Sequence, residues 1–293
     1  MAVMERRINI NIPTIGTIRE KGNELGFSYV QSLSLFLYET ILYWVSQSKL
    51  REELWLKPSD LQIIERHSGI CNEIIFYREN VSYQELHESL NKLFQGRETK
   101  DFEFNWEALI YDKKIEIVLD TKLEHVAIPF KMIICPILEK DRFPKEEKYQ
   151  FLLLEEKEIT YNAYPMEQQL TECFYEILDK LELISDAKVY DTVYWILKNY
   201  PVEGRRMYLH FKDYLKKNEI ASVEKRWDTV LGYIDYSYMK KKWDKYRKIY
   251  EKEIAWEECI KLMNEFFSPI WRAFLEDRIF LGDWMPSLGR YLD

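Results

Sequence analysis

Residues 56–77 restrict the fold more than any other stretch, because the pattern of apolar and polar residues changes several times within it. A turn at Pro58-Ser59 leads through an apolar stretch into a polar loop at 65–69, and an apolar run at 70–77 follows. Proline excludes a continuous helix through position 58, and the run at 70–77 is typical of a strand. A strand needs elements that cover its apolar face, so we expect one helix before this stretch and another after it.

The sequence on both sides of this stretch predicts those helices. Tyr29 to Gln47 carries apolar residues at spacings of three and four, and Ser28 is placed to cap its first turn. Ser82 and Glu85 have the spacing of a capping box, which predicts that a second helix begins at Ser82. The low content of 9 glycines and 9 prolines favours helices over a turn-rich β-sandwich.

Strand patterns follow the second helix. Apolar residues predict three strands, at Phe102 to Trp106, Lys114 to Thr121 and Ala127 to Ile137. No polar residue stands between Met132 and Cys135, so we expect both faces of the last strand to be covered. Asp141 to Lys148 is charged and contains a proline, which predicts a loop.

Beyond residue 160 the apolar spacing is helical almost throughout. Six helices are predicted, at 166–183, 188–200, 203–217, 221–233, 236–251 and 254–280. The predicted fold class is therefore α+β. A domain at 1–160 holds a mixed sheet with packed helices, and an all-helical domain occupies 161–293.

Charge limits the partners that the chain can attract. A formal net charge of −8 argues against broad binding to nucleic acid, although a local basic patch can still act. The segment 239–252 carries such a patch: Lys240, Lys241, Lys242, Lys245, Arg247, Lys248 and Lys252. Two interpretations stay open. The patch contacts RNA phosphates while neighbouring Tyr and Trp rings stack on bases, or it is a solvated helix face.

No segment of the sequence predicts a membrane span. The longest apolar stretch, Leu33 to Val45, is broken by Ser34, Glu39 and Thr40 and is too short to cross a bilayer. The amino terminus lacks the apolar core of a signal peptide, and the four cysteines form no C-x-x-C pair. We therefore expect a cytoplasmic protein with free thiols.

An ordered series of short motifs runs through the chain. It comprises Gly26 to Ser48, Leu56-Lys57, Arg66-His67-Ser68, Tyr111 to Pro136, Ala163 to Glu167 with Glu172, Tyr190-Asp191, Trp243 and Phe267-Ser268-Pro269. In this order the series resembles the AbiEii/AbiGii-type nucleotidyltransferase toxins of bacterial type IV toxin–antitoxin and phage-defence systems. The resemblance implies a nucleotidyltransferase-like fold for the first domain and a helical tail.

Nucleotidyl transfer depends on positioning and on neutralising charge with Mg²⁺. Two acids at i and i+2 on one strand share a face and bind the metal, and a third acid on a neighbouring strand completes the set. The resemblance places Ile70 and Asn72 at the first two positions and Ile133 at the third. Isoleucine has no ligand atom and asparagine offers one neutral oxygen, so no metal site is predicted.

Other departures from the family's pattern affect charged or phosphate-binding positions. Pro58-Ser59 replaces a glycine pair, Cys173 replaces a lysine, and Lys188 replaces an aspartate. The positions that match are Arg66, Ser68, Glu167, Glu172 and Asp191. Together with Ser59, Asn72, Ile133 and Lys188 they are expected to outline a vestigial cleft.

Three hypotheses of function follow. The first is a catalytically degenerate nucleotidyltransferase that needs no cofactor and binds a partner protein or antitoxin, a nucleic acid or a nucleotide. The second is an active enzyme that uses Mg²⁺, a nucleoside triphosphate and the acids Glu73, Asp120 and Asp191, although Glu73 faces away from Asn72 on the strand. The third is a structural subunit of an assembly.

Overall fold

A computed structural model describes residues 11–58, 72–112, 114–137, 144–155, 158–217, 223–249 and 253–292. The chain divides into two compact units, Met1–Tyr164 and Pro165–Asp293. Each unit contains its own large cluster of buried apolar side chains. The predicted domain boundary, between 160 and 161, lies four residues before the observed division of the chain.

The first unit contains four helices and seven strands among its described residues. The helices are α1 (Ile15–Glu24), α2 (Tyr29–Ser46), α3 (Leu50–Glu53) and α4 (Tyr83–Phe94). The strands are β1 (Trp55–Leu56), β2 (Glu73–Arg78), β3 (Phe102–Tyr111), β4 (Lys114–Leu123), β5 (Val126–Pro136), β6 (Lys145–Gln150) and β7 (Glu158–Ala163).

All seven strands form one mixed sheet in the order β3-β4-β5-β2-β1-β7-β6. The pairs β2–β5 and β1–β7 are parallel, and the other neighbouring pairs are antiparallel. This mixed sheet confirms the α+β fold class predicted from the sequence. The short strand β1 is the only described link between β2 and β7, because it pairs with both.

Helix α2 is the centre of the first core. Ser28 caps it through a complete capping box with Gln31, and every residue from Ser32 to Ser46 is buried. The helix also buries Glu39, whose carboxylate is surrounded by donors. The hydroxyl of Tyr149 and the N–H groups of Leu152, Leu153 and Leu154 donate to it at distances of 2.7 to 3.1 Å. Burial raises the pKa of Glu39, and the hydrogen bonds act in the opposite direction.

Two local predictions for the first unit are wrong. Helix α4 begins directly after Ser82, as predicted, but the capping box does not form: the Ser82 side chain makes no capping hydrogen bond, and the Glu85 carboxylate accepts from Asn80 Nδ2 at 3.0 Å. The second error is the loop predicted at 141–148, since residues from Lys145 onward form β6. This strand lies at the edge of the sheet, where charged side chains are favoured because they discourage pairing with another chain.

The second unit is helical, as predicted, with one added hairpin. Its helices are α5 (Met166–Lys180), α6 (Lys188–Asn199), α7 (Gly204–Lys217), α8 (Val223–Leu231), α9 (Ser237–Ile249) and α10 (Trp256–Leu275). The prediction that the last helix continues to 280 is wrong, because α10 ends at Leu275. The chain then forms the antiparallel pair β8 (Asp283–Met285) and β9 (Arg290–Leu292). Within the described ranges, every helix is too short or too polar to cross a membrane.

Candidate functional site

Side chains of the inner strand β5 alternate between the two faces of the sheet. Phe130, Met132 and Ile134 belong to the hydrophobic core, and Ile133 is not part of that core cluster although only 8% of it is exposed. Alternation along the strand places Lys131 and Ile133 together on the face opposite the core. We call this the charged face, and it consists of Glu73 and Ile75 on β2, Glu116, Val118 and Asp120 on β4, and Lys131 and Ile133 on β5.

Strand register fixes which residues of the charged face are neighbours. Ile133 lies between Ile75 on one side and Glu116 on the other. In the next row, Lys131 lies between Glu73 and Val118. Neighbouring strands are separated by roughly 4.8 Å, so the two glutamates stand on opposite sides of β5 with the lysine strand between them.

Glu116 is the most enclosed charge on this face, since it is 7% exposed. Its carboxylate accepts from Lys131 Nζ at 2.5 Å and from Lys114 Nζ at 3.2 Å. The hydrogen bond from Lys131 lowers the pKa of Glu116, and the same contact raises the pKa of Lys131. Glu73 adds to the upward shift of the Lys131 pKa, which places all three charges within electrostatic reach of one another.

This arrangement neutralises buried carboxylate charge with lysine. A Mg²⁺ site requires several oxygen ligands that converge on one point at about 2.1 Å. On the charged face the ammonium groups of Lys131 and Lys114 bind the two carboxylate oxygens of Glu116 and repel a further cation. Within the described part of the chain, no group of three or more His, Cys, Asp or Glu residues could hold a metal ion.

The predicted site residues of the first unit fall at different places relative to this face. Ile133 lies at its centre. Asn72 immediately precedes β2 and is exposed, and its carbonyl oxygen accepts from Lys131 N–H at 3.0 Å. Position 72 alternates with Glu73, so alternation assigns its side chain to the opposite face from Ile133. Asp120 is exposed on the charged face, opposite Pro129. Ser59, Arg66, Ser68 and Ile70 lie outside the described residues.

The remaining predicted residues belong to the second unit. Glu167 is in the first turn of α5 and Glu172 one turn later, and both are half-buried. Lys188 begins α6, where its N–H donates to Asp186 Oδ1 at 2.8 Å. Asp191 is buried in the same helix and accepts from the hydroxyl of Tyr246 at 2.9 Å. That hydrogen bond ties α6 to α9 inside the helical unit.

The basic segment belongs to helix α9 as far as Ile249, and Lys252 lies outside the described residues. The cations of the helix divide into two groups. Lys240 pairs with Glu257 at 2.6 Å, and Arg247 pairs with Asp244 at 3.2 Å. Lys242 donates to the carbonyl oxygens of Glu182 and Ile184 and lies over the Tyr238 ring. The other three, Lys241, Lys245 and Lys248, are exposed. Half of the described basic residues therefore stabilise the helical unit itself.

Sequence reasoning missed Glu116 and Lys131. A signal was present, because the inward residues Ile115, Ile117 and Leu119 alternate with Glu116, Val118 and Asp120 along β4. That alternation assigns Glu116 and Asp120 to one face. The partner lysine could not be found from the sequence, because the contact depends on the register between β4 and β5.

No family model and no curated protein matches the chain. Among solved structures it is similar to JHP933 from Helicobacter pylori at 10% sequence identity and a TM-score of 0.48, over 83% of this chain and 94% of that chain. It is also similar to an H. pylori protein provisionally assigned as a nucleotidyltransferase, at 10% identity and a TM-score of 0.49, over 83% of this chain and 96% of that chain. These identities are too low to transfer the role of any residue.

Proposed function

We propose that this chain is a degenerate nucleotidyltransferase of AbiEii-like type, which acts by binding rather than by transferring nucleotides. The observation that carries the proposal is the ion pair between Glu116 and Lys131, beside Ile133 on the charged face. The ordered series of motifs supplies the family resemblance, and the ion pair supplies a physical reason to expect no metal chemistry.

The energetic argument concerns how a buried acid is neutralised. An enclosed carboxylate is costly unless an opposite charge or several donors accompany it. In a metal-dependent transferase the cation is Mg²⁺, which comes and goes with the nucleotide. Here the cations are lysine side chains, which belong to the chain and stay at high local concentration. Isoleucine at 133 and 75 then fills the neighbouring positions with apolar volume.

Binding of Mg²⁺ and nucleotide tests the degenerate site directly. Titration calorimetry of the whole protein with MgCl₂, with each nucleoside triphosphate, and with both together is expected to show no Mg²⁺-dependent nucleotide binding. A transfer assay with labelled nucleoside triphosphates and total RNA or protein is expected to show no incorporation. Tight nucleotide binding that requires Mg²⁺, or label on any acceptor, would overturn the proposal.

An active transferase is the second candidate, and one observation favours it. Glu73, Glu116 and Asp120 share a face of the sheet, so three carboxylates are present there despite the lysines. If labelled nucleotide is transferred, Glu73→Gln and Asp120→Asn should each abolish incorporation, whereas Asp191→Asn tests the acid in the helical unit. Glu103→Gln is the matched control, since this exposed glutamate on β3 pairs with Lys122 at 3.0 Å.

A protein partner in a defence or toxin–antitoxin module is the expected ligand of the degenerate form. The products of the genes that flank this one are the partners to test, by co-purification with the tagged chain and by mass measurement of the complex. A stoichiometric complex would support the binding role. The absence of a complex with either product would remove the toxin–antitoxin part of the proposal and leave nucleic acid and nucleotide as ligands.

A further inference from the structure

A pocket lies in the first unit, outside the residues of the charged face. Its volume is about 510 Å³, within the range of roughly 300–1,000 Å³ that is usual for small-molecule sites. It lies between the end of α4, the loop 95–99 and strand β3. Trp106 of β3 pairs with Leu119, whose side chain belongs to the core, so the pocket is on the core side of the sheet at its outer edge.

The apolar wall of the pocket is aromatic. Phe94, Phe104 and Trp106 line it, and the ring centroids of Phe94 and Trp106 are 5.4 Å apart with an angle of 49° between the planes. Phe94 and Phe104 are buried, whereas Trp106 keeps part of its surface exposed. A partly exposed indole beside two buried rings offers a flat surface on which another planar ring can stack.

The pocket also carries hydrogen-bonding groups. Asn91, Gln95 and Glu98 line it and are exposed. Asn91 Nδ2 lies 2.9 Å from His87 Nε2, which orients the amide and leaves its carbonyl oxygen for another donor. Amide and carboxylate groups of this kind pair with the ring edge of a heteroaromatic base, where donors and acceptors lie side by side.

The loop that closes the pocket is held at both ends. Arg97 Nε donates to Leu93 O at 2.8 Å, and its guanidinium lies 5.0 Å from the Trp44 ring centroid. Thr99 N–H donates to Phe102 O at 2.9 Å, and Gly96 takes the left-handed conformation at φ 69°. The pocket is therefore formed before any ligand arrives, which lowers the entropic cost of binding.

We propose that this pocket binds a planar nucleobase, stacked on Trp106 and read at its edge by Asn91 and Glu98. Cations are absent from the described residues that line it, so the base rather than a phosphate group is the part that it recognises. The base belongs either to a free nucleoside or to an unpaired nucleotide of a single-stranded nucleic acid. The inference is independent of the proposed function, because it involves neither Mg²⁺ nor the charged face.

The test compares two probes on the whole protein. Adenosine and uridine are followed by saturation-transfer NMR, and a fluorescein-labelled single-stranded RNA dodecamer is followed by anisotropy. Saturable binding of the nucleosides would identify the small molecule as the source, and binding of RNA alone would identify an unpaired strand. Failure of both probes to bind at millimolar nucleoside and micromolar RNA would overturn the inference.

Variants show whether binding occurs in this pocket. Trp106→Ala is expected to weaken binding by about 10- to 100-fold, because stacking on an aromatic side chain makes a contribution of that size. Trp106→Phe should stay within about threefold of the native chain, since a flat ring remains. Because Trp106→Ala could fail to fold, the exposed double variant Asn91→Ala with Glu98→Gln provides a second measurement and should weaken binding at least fivefold, by about 1 kcal/mol.

A control separates the pocket from the basic helix. Lys241→Ala, Lys245→Ala and Lys248→Ala together remove the exposed cations of α9. This triple variant should keep nucleoside binding unchanged, even if its affinity for RNA falls. Loss of binding in the triple variant with full binding in Trp106→Ala and in the double variant would assign recognition to α9 and overturn the inference.

Discussion

Glu39 is a buried charge whose partners are almost all backbone groups. Two N–H groups, from Leu153 and Leu154, donate to one carboxylate oxygen, while Tyr149 and the N–H of Leu152 donate to the other. The sequence predicted the helix around Glu39 but not this role, because the donors lie more than 100 residues away, at the end of β6 and in the irregular segment that follows it.

Replacement of this carboxylate by an amide is expected to destabilise the first unit. In Glu39→Gln one oxygen becomes an NH₂ group, which opposes two donors instead of accepting from them. The cost should be about 2–4 kcal/mol of unfolding free energy, measured by urea denaturation. Thr40→Val is the matched control in the same helix and should cost about 1 kcal/mol or less, since Thr40 only adds a hydrogen bond to Phe36 O. Equal losses in both variants would contradict the role of Glu39.

The ion pairs of Glu116 should make stability depend on pH. Its pKa is lower in the folded chain than the ordinary value of 4.5, so the unfolded chain takes up the proton first as the pH falls. The contribution of Glu116 is therefore complete at neutral pH and is lost below about pH 4.5. The free energy of unfolding, measured with urea across this range, should fall less steeply with decreasing pH in Glu116→Gln than in the native chain. Glu107→Gln, an exposed residue of β3, should leave the profile unchanged.

At the scale of elements, the contact between α1 and α2 has no room for a methyl group. A Cβ added at Gly22 would lie 1.9 Å from Ser32 Oγ and 2.6 Å from Ser32 Cβ. Gly16 lies in the same helix, and the nearest atom to its added Cβ, Thr14 Oγ1, is 3.6 Å away. The close approach explains why glycine occurs at position 22 of α1, although glycine is unfavourable in a helix.

Alanine at these two positions should change the stability of the first unit in opposite directions. Gly22→Ala is expected to cost about 1–3 kcal/mol because of overpacking, whereas Gly16→Ala should be neutral or stabilising by up to about 1 kcal/mol. Thermal unfolding measures both. In the double variant Gly22→Ala with Ser32→Gly the clash is removed, so the loss should be less than the sum of the single losses. An additive double variant would show that the close contact is not the cause.

Sequence patterns predicted elements well where periodicity and capping agree. Helix α2 begins after Ser28 as predicted, because its cap and its apolar spacing both indicate the same residue. The strand β6 was missed because edge strands carry charges that are also typical of loops. The helix α4 also begins where its spacing predicts, directly after Ser82, but the capping box is absent and Glu85 instead contacts Asn80 and, at 3.6 Å, Arg78.

At the scale of the whole molecule, each unit has its own core. The second core contains Phe174, which is fully buried and stacks on Phe267 with ring centroids 3.8 Å apart and planes 4° from parallel. Composition and helical spacing predicted a helical second half. The hairpin β8–β9 was missed because strands of three residues are too short to show alternation.

Two cores predict two unfolding transitions. Phe174→Ala should lower the stability of the helical unit by about 3–5 kcal/mol, because it removes a stacked ring and leaves a cavity. In scanning calorimetry, Phe174→Ala should shift only the transition of the second unit. Gly22→Ala should shift only the transition of the first unit. A single transition that moves as a whole in both variants would show that the units unfold together.

The short strand β1 has a consequence for how the sheet moves. Among the described residues, β1 is the only strand that joins the four strands β3-β4-β5-β2 to the pair β7-β6, and it pairs with two residues on each side. The stacked rings of Tyr77 and Tyr164, 3.7 Å apart, add packing where the ladder is shortest. Amide hydrogens of Leu56 and Tyr164 should therefore exchange with solvent earlier than those of Ile117 or Ile134 in mass-spectrometric labelling, because a two-residue ladder opens without unfolding the rest. The two groups of strands should therefore move relative to each other about β1, and fluctuations of the first unit should concentrate at that strand.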